Sequence, residues 1–307
     1  DSDWSSDVCS SDLEPRGMHG RAEAPAAGTV LNALATGVGS AFAIDATTTA
    51  EVDLDGSGSV EGTVAGAPEA DTALVERCVE LAVEEYGDDA ASVPDHVGGT
   101  VCTESEVPMA AGLKSSSAAA NATVLATLDA LGVAEDVPRV DACRLGVRAA
   151  RDAGVTVTGA FDDASASMLG GVTVTDNGED ELLAREAFDR DVLVWTPPER
   201  AYSADADVDR CRRITPMADL VADLALDGEF ERAMTVNGFA FCAALGFPSD
   251  PLVEALPDAS GVSLSGTGPS FVAVGGRDAL QEVRDQWNDR EGTTWLTTTR
   301  NDGTQTT

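Results

Sequence analysis

The sequence predicts an α+β fold built as two units. Three observations carry that expectation. Runs of small and β-branched residues are interspersed with segments of helical period, without the regular alternation of a βαβ series. The pattern breaks near residue 180, beyond which a strand run, a group of helices and further strands follow. The chain has 307 residues, 43% of them hydrophobic, enough for a packed core in one large or two modest domains of ~100–200 residues each. The units are expected at 17–180 and 181–307.

The elements follow in order. Asp1–Arg16 shows no periodicity and no join to what comes after it. It resembles a translated sequencing adapter, is set apart as a non-native extension expected to be disordered, and puts the natural start at Met18. Residues 20–34 and 41–54 are rich in small and β-branched residues and read as strands around Gly37 and Gly39. Asp55-Gly56-Ser57-Gly58 is a turn. Over 71–86, Leu74, Cys78, Leu81, Ala82 and Val83 fall at helical spacing. Residues 97–107 read as a strand feeding a serine-rich loop, and 115–131 as an alanine-rich helix stopped at Gly132. Pro138 opens a helix over 138–153, stopped at Gly154. Residues 155–171 read as loop-rich and 171–175 as a strand. In the second unit a strand at 191–196 precedes Pro197-Pro198, then helices at 216–226, 229–246 and 249–256. Two strands flank Gly266-Thr267-Gly268, and a helix at 277–287 leads to a last strand at 293–299. No internal repeat is present.

Charge narrows the function. Acidic residues number 54 against 19 basic ones, a formal charge of −35. Such a surface repels nucleic acid and anionic membrane, so neither is an expected partner. Arginine supplies most of the basic charge and lysine is almost absent, the pattern of a cytosolic protein from a salt-in halophile. Molar salt shortens the Debye length to ~3 Å and relieves the self-repulsion. Cysteines at 9, 78, 102, 143, 211 and 242 form no C-x-x-C pair, and only two histidines occur. The expectation is therefore a reduced cytoplasmic compartment and no zinc site. No apolar run reaches the ~18 residues of a membrane span, and no signal peptide is visible.

Pro108-Met109-Ala110-Ala111-Gly112-Leu113-Lys114-Ser115-Ser116-Ser117-Ala118 is the most informative stretch. It delivers backbone N–H groups and three hydroxyls onto a helix N-terminus, whose partial positive charge suits a phosphate. The same serines also read as an ordinary N-cap. It is not a Walker A loop, because Val107 stands where the first glycine would be and Leu113 separates Gly112 from Lys114. The second informative stretch, Thr158 to Gly171, sets Asp162 and Asp163 side by side among small and apolar residues. An unpaired buried carboxylate is costly, so the pair marks either a site or a short helix capped by Asp163.

The pattern P-x-x-x-G-L-x-S-S-[SA]-A in residues 108–118 resembles the second motif of the GHMP kinases. With Lys114 and a third serine it is most similar to their archaeal shikimate kinase branch. Residues 24–33 resemble the amino-terminal motif and 261–271 the glycine-rich carboxy-terminal one, and the resemblance spans roughly residues 17 to 300. It implies an amino-terminal domain like ribosomal protein S5 domain 2, a ferredoxin-like carboxy-terminal domain, and a site between them. It implies that ATP lies on Pro108, Ala110, Ala111, Gly112, Leu113, Lys114, Ser115, Ser116 and Ser117, with Gly266, Thr267 and Gly268 opposite.

The family's D-x-x-x-S-x-x-G falls on Asp163, Ser167 and Gly170, which makes Asp163 the implied base, with Asp162 second. Lys114 is the implied point charge at the phosphates, and Ser116 and Asp152 the implied Mg²⁺ ligands. Asn32 is implied either to bind the acceptor or to hold the loop. The shikimate carboxylate calls for an arginine fork, for which Arg200, Arg210, Arg212 and Arg213 are the candidates and among which the sequence does not choose. The implied reaction is ATP-dependent phosphorylation of the 3-hydroxyl of shikimate. The alternatives are another small alcohol such as homoserine or mevalonate, or a nucleotide-binding protein without catalysis.

Overall fold

The computed structural model describes residues 18–90, 96–107, 111–156, 159–199 and 206–307. The expected amino-terminal extension, Pro108, Ala110 and Arg200 lie outside those residues.

Two long strands, β1 (Met18–Leu31) and β2 (Val38–Asp55), pair antiparallel along nearly their whole length. The far edge of β2 is shared: its second half pairs β4 (Gly98–Ser105), and its first half pairs β5 (Val172–Asp176). Strand β3 (Val60–Val64) lies parallel to β4, and β6 (Glu181–Glu186) continues from β5.

Helices α1 (Ala73–Tyr86), α2 (Ser115–Ala130), α3 (Arg139–Asp152) and α4 (Phe161–Leu169) pack together with this sheet. The alanine-rich α2 has no separate apolar face, and its residues from Ser117 to Leu128 are buried except Ala119. Small residues let it lie close on β1: a Cβ at Gly20 would strike the carbonyl of Ala126 and come within 2.5 Å of Ala130 N.

The second sheet runs in the order β10 (Thr293–Thr298), β7 (Asp191–Thr196), β9 (Phe271–Gly275), β8 (Gly261–Leu264), with antiparallel neighbours. Between β7 and β8 come α5 (Val208–Arg212), α6 (Thr215–Leu226), α7 (Phe230–Leu245) and α8 (Asp250–Ala255). Helix α9 (Arg277–Asn288) joins β9 to β10. Counted within the unit, the strand order is 4-1-3-2, the ferredoxin-like arrangement, with extra helices in its first crossover. One apolar cluster runs from Val30, Leu31, Phe42 and Leu113 of the first unit into Trp195, Phe241, Phe271 and Trp287 of the second.

Three expectations need correction. The boundary at 180/181 falls inside the β5–β6 hairpin, because β6 belongs to the first sheet. The last residues also return there, β11 (Gln305–Thr306) pairing with β1. Both strands escape sequence reading for physical reasons: β6 is a charged edge strand exposed along much of its length, and β11 is two residues long. The stretch 155–171, expected to be loop-rich, holds α4, whose serines and aspartates mask a buried helical face.

Candidate active site

Three sequence motifs converge at the entrance of α2. The loop reaches the helix through Gly112 (φ 77°) and Lys114 (φ 63°), both left-handed. Lys114 holds the N-cap position without a side-chain cap bond, so the serines are not caps but form the first turn. Ala118 N–H is the first to reach back, to the Lys114 carbonyl at 3.0 Å. The N–H groups of Ser115, Ser116 and Ser117 therefore precede the helix's own ladder, as an anion cradle requires.

The glycine loop between β8 and β9 is locked against that entrance. Ser265 Oγ donates to the Gly112 carbonyl at 2.8 Å. A Cβ at Gly112 would strike the Ser265 carbonyl and sit 2.8 Å from that of Gly268, so the position admits glycine on two counts. Gly266 N–H donates to Thr29 Oγ1 at 2.7 Å, and Asn32 Nδ2 donates to the Gly266 carbonyl at 2.9 Å. Two further groups of Asn32 are committed: its N–H donates to Asn237 Oδ1 at 3.0 Å, and its Oδ1 accepts from Leu34 N–H at 2.9 Å. These bonds are those of a residue that holds the loop, one of the two roles expected for Asn32.

Lys114 and Asp163 form the centre. Lys114 Nζ lies 2.8 Å from Asp163 Oδ1, with the two side chains 9% and 16% exposed. Lys114 is the only lysine in the chain. Asp162 and Asp163 both occupy the first turn of α4, where the helix N-terminus favours negative charge. The short-helix reading thus holds, although Ala160 and not Asp163 is the cap residue.

The two carboxylates have different surroundings. Asp163 lines a small cleft with Ser116, Ser117 and Ala160. Asp162 is buried, facing Gly39, where any side chain would collide with its Oδ2. Its Oδ1 accepts from Asn177 Nδ2 at 2.7 Å, and its N–H donates to Asn177 Oδ1 at 3.0 Å. Burial, and then the neighbouring charge of Asp163, push the Asp162 carboxyl up to about 7, with Lys114 and Asn177 pulling the other way.

Some expected residues are not brought to the cleft. Asp152 is an exposed side chain at the end of α3, and its Oδ2 accepts from Arg77 Nε on α1 at 2.9 Å. Arg210 Nη2 donates to the Ala243 carbonyl at 2.7 Å, and Arg212 pairs with Asp209 on its own exposed helix. Sequence reading also missed members of the site. Thr29 sits inside the amino-terminal motif, so its position there was available as a signal. Asn177, in Asp176-Asn177-Gly178, reads only as a turn, and Asn237 carries no signal in its helix. Among the described residues no group of three or more His, Cys, Asp or Glu could hold a metal by itself.

Comparison with known proteins identifies the family. Residues 73–171 match the family model for the GHMP kinases N terminal domain. A protein named shikimate kinase from Halobacterium salinarum is 66% identical over 94% of this chain and 100% of its own length. Another from Methanosarcina acetivorans is 50% identical over 88% of this chain and 90% of its own. Among solved structures, homoserine kinase from Cytophaga hutchinsonii superposes with a TM-score of 0.72 at 15% identity, covering 96% of this chain and 99% of that one. The mevalonate kinase of Methanococcus jannaschii gives 0.72 at 15% identity, covering 93% and 99%. At such identity these two structures speak for the fold alone.

Proposed function

The chain belongs to the archaeal shikimate kinases of the GHMP type, and from that premise we propose that it transfers the γ-phosphoryl group of ATP to the 3-hydroxyl of shikimate. The observation that carries the site assignment is the 2.8 Å Lys114–Asp163 pair at the point where the serine loop, the glycine loop and α4 meet.

Each part has a physical task. The N–H groups and hydroxyls of Ser115–Ser117, at the positive end of α2, bind phosphate oxygens. The backbone at Gly266–Gly268 closes on the nucleotide from the other side, fixed by Thr29 and Asn32. Asp163 accepts the proton of the attacking hydroxyl. Lys114 holds that carboxylate in place and puts a positive charge beside the group being transferred, where phosphoryl transfer gains most from electrostatic stabilisation. Asp162 is the weaker candidate for the base, because its carboxylate is turned into the protein and its Oδ1 is engaged by Asn177.

The donor set fits Mg²⁺. Ser116 offers a hydroxyl oxygen in the cleft, and an ion of this kind takes its remaining ligands from nucleotide phosphates and water, not from an all-protein cage. When bound, Mg²⁺ neutralises charge on the β- and γ-phosphates. Asp152, paired with Arg77, is not assigned to it.

The test is an ADP-release assay in molar KCl with shikimate, homoserine and mevalonate as separate acceptors. Release is expected with shikimate. Release with another acceptor and none with shikimate overturns the substrate assignment, and unchanged turnover in Asp163→Asn overturns the base.

A further inference from the structure

We propose that Asn177 is a positioning residue for the transfer: it clamps the first turn of α4 through Asp162 and so fixes the direction in which Asp163 meets Lys114 and the substrate hydroxyl. The inference rests on the reading of Asp163 as the base. It names a residue outside the three motifs, on the turn that joins β5 to β6.

The clamp is two-sided. Asn177 Oδ1 accepts from Asp162 N–H at 3.0 Å, and Asn177 Nδ2 donates to Asp162 Oδ1 at 2.7 Å. Thr175 Oγ1 also donates to Asn177 Oδ1, at 2.8 Å, and the Asp162 N–H, which can only donate, sets which way round the amide lies. A carboxylate here would set negative charge against negative charge, and an apolar residue would leave both a buried N–H and a buried carboxylate unmet. Only a carboxamide serves both ends.

The clamp is itself anchored. Asn177 is 2% exposed, and its N–H donates to the Gly37 carbonyl at 2.9 Å. Its carbonyl accepts from Arg151 Nη2 at 3.2 Å. The same guanidinium grips Asp180 on the same turn through two bonds of 2.6 and 2.7 Å. Helix α3, the turn and α4 are thereby tied into one unit behind the acid pair. The groups acting on Asp162 are Asp163 beside it, Lys114 from the α2 entrance and Asn177 from the turn. Among the described residues Asp163 has no comparable clamp beyond Lys114, so its direction depends on the turn of helix it shares with Asp162.

The experiment compares Asn177→Asp and Asn177→Ala with the unaltered chain, each also in the Asp163→Asn background, in molar KCl. Asn177→Asp keeps size and the acceptor for Asp162 N–H but loses the donor of the second bond. Both single variants are expected to lose ~100-fold in kcat, the scale of a misplaced catalytic group, with KM for ATP and shikimate little changed. In the Asp163→Asn background the Asn177 substitutions are expected to cost little more, since they act through Asp163. Equal losses in both backgrounds overturn the proposal, as does a rise in KM with kcat unchanged. Wild-type turnover in both Asn177 variants overturns it while leaving Asp163 as the base. Turnover retained in Asp163→Asn instead removes the reading on which it rests. Loss of the folded circular dichroism spectrum in both Asn177 variants would assign the residue to stability and overturn the positioning role.

Discussion

Replacing Asp162 by Asn should stabilise the protein at neutral and alkaline pH, and by an amount that depends on pH. The Asp162 carboxyl is pushed from its ordinary 3.8 up to about 7, first by burial and then by Asp163. An acid whose folded value is raised favours the fold below its unfolded value, and that contribution is lost as pH climbs to the folded one. The gap from 3.8 to about 7 corresponds to roughly 4 kcal/mol, an upper figure for a group coupled to its neighbour. Removing the ionisable group should therefore give little at pH 4, about 2 kcal/mol at pH 5 and up to about 4 kcal/mol at pH 8. Asn retains an oxygen for the 2.7 Å bond from Asn177, so the shape cost is small. The assay is denaturant unfolding of both chains from pH 4 to 9 in molar KCl, read as a difference so that the other carboxylates cancel. A difference independent of pH, or one that shrinks as pH rises, would refute the reasoning.

Three further outcomes follow from charge and packing. In dilute salt the formal charge of −35 loses its screening, so the melting temperature should fall steeply as KCl is withdrawn; an unchanged value between molar and dilute salt contradicts the halophilic reading. Gly112→Ala has no room at a left-handed position and faces the Gly268 carbonyl at 2.8 Å; it should weaken nucleotide binding at least tenfold, measured by titration of the nucleotide, and wild-type affinity would remove the locked-loop account. Asp152→Asn breaks an exposed pair with Arg77 and should leave both kcat and its dependence on Mg²⁺ unchanged, with stability altered by no more than ~1 kcal/mol; a large rise in the Mg²⁺ requirement would return Asp152 to the metal.

What the sequence made legible depended on whether local chemistry alone fixes the feature. Strand β7 appears in the sequence at its observed bounds, because a run of apolar residues ending at Pro197-Pro198 has little choice. Helix α2 was legible from alanine content and Gly132. Helix α4 was legible only as a short helix capped by Asp163 in a loop-rich stretch, since Asp162, Asp163, Ser165 and Ser167 hide its buried face until the partners that bury them are known. The same limit applies to Asp152. Its distance from Asp163 along the chain suggested a metal ligand, whereas its pairing with Arg77 on α1 is visible only in the folded chain. Asn177 and Asn237 lie beyond sequence reading because an asparagine gains meaning only from the groups it bridges. Asn237 Oδ1 meets the N–H of Asn32, 205 residues earlier in the chain.

Lys114 carries the strongest inference, because arginine does the work of basic charge everywhere else in this chain. If any positive charge sufficed at the phosphate loop, the same preference should have placed arginine there. The geometry shows why it does not. Lys114 Nζ lies 2.8 Å from Asp163 Oδ1 and 2.9 Å from where a Cβ on Gly266 would stand, in a slot that leaves the side chain 9% exposed. A compact ammonium fits between the glycine loop and the carboxylate, whereas a planar guanidinium is longer and wider and must push one of them aside. Lys114→Arg should therefore behave like Lys114→Met despite keeping the charge, each losing roughly 10²–10³ in kcat. A lone lysine also supplies an independent probe: an amine-selective reagent that spares arginine can modify no other side chain, and ATP should slow that modification. Wild-type kcat in Lys114→Arg would show that charge and not shape is what the slot requires.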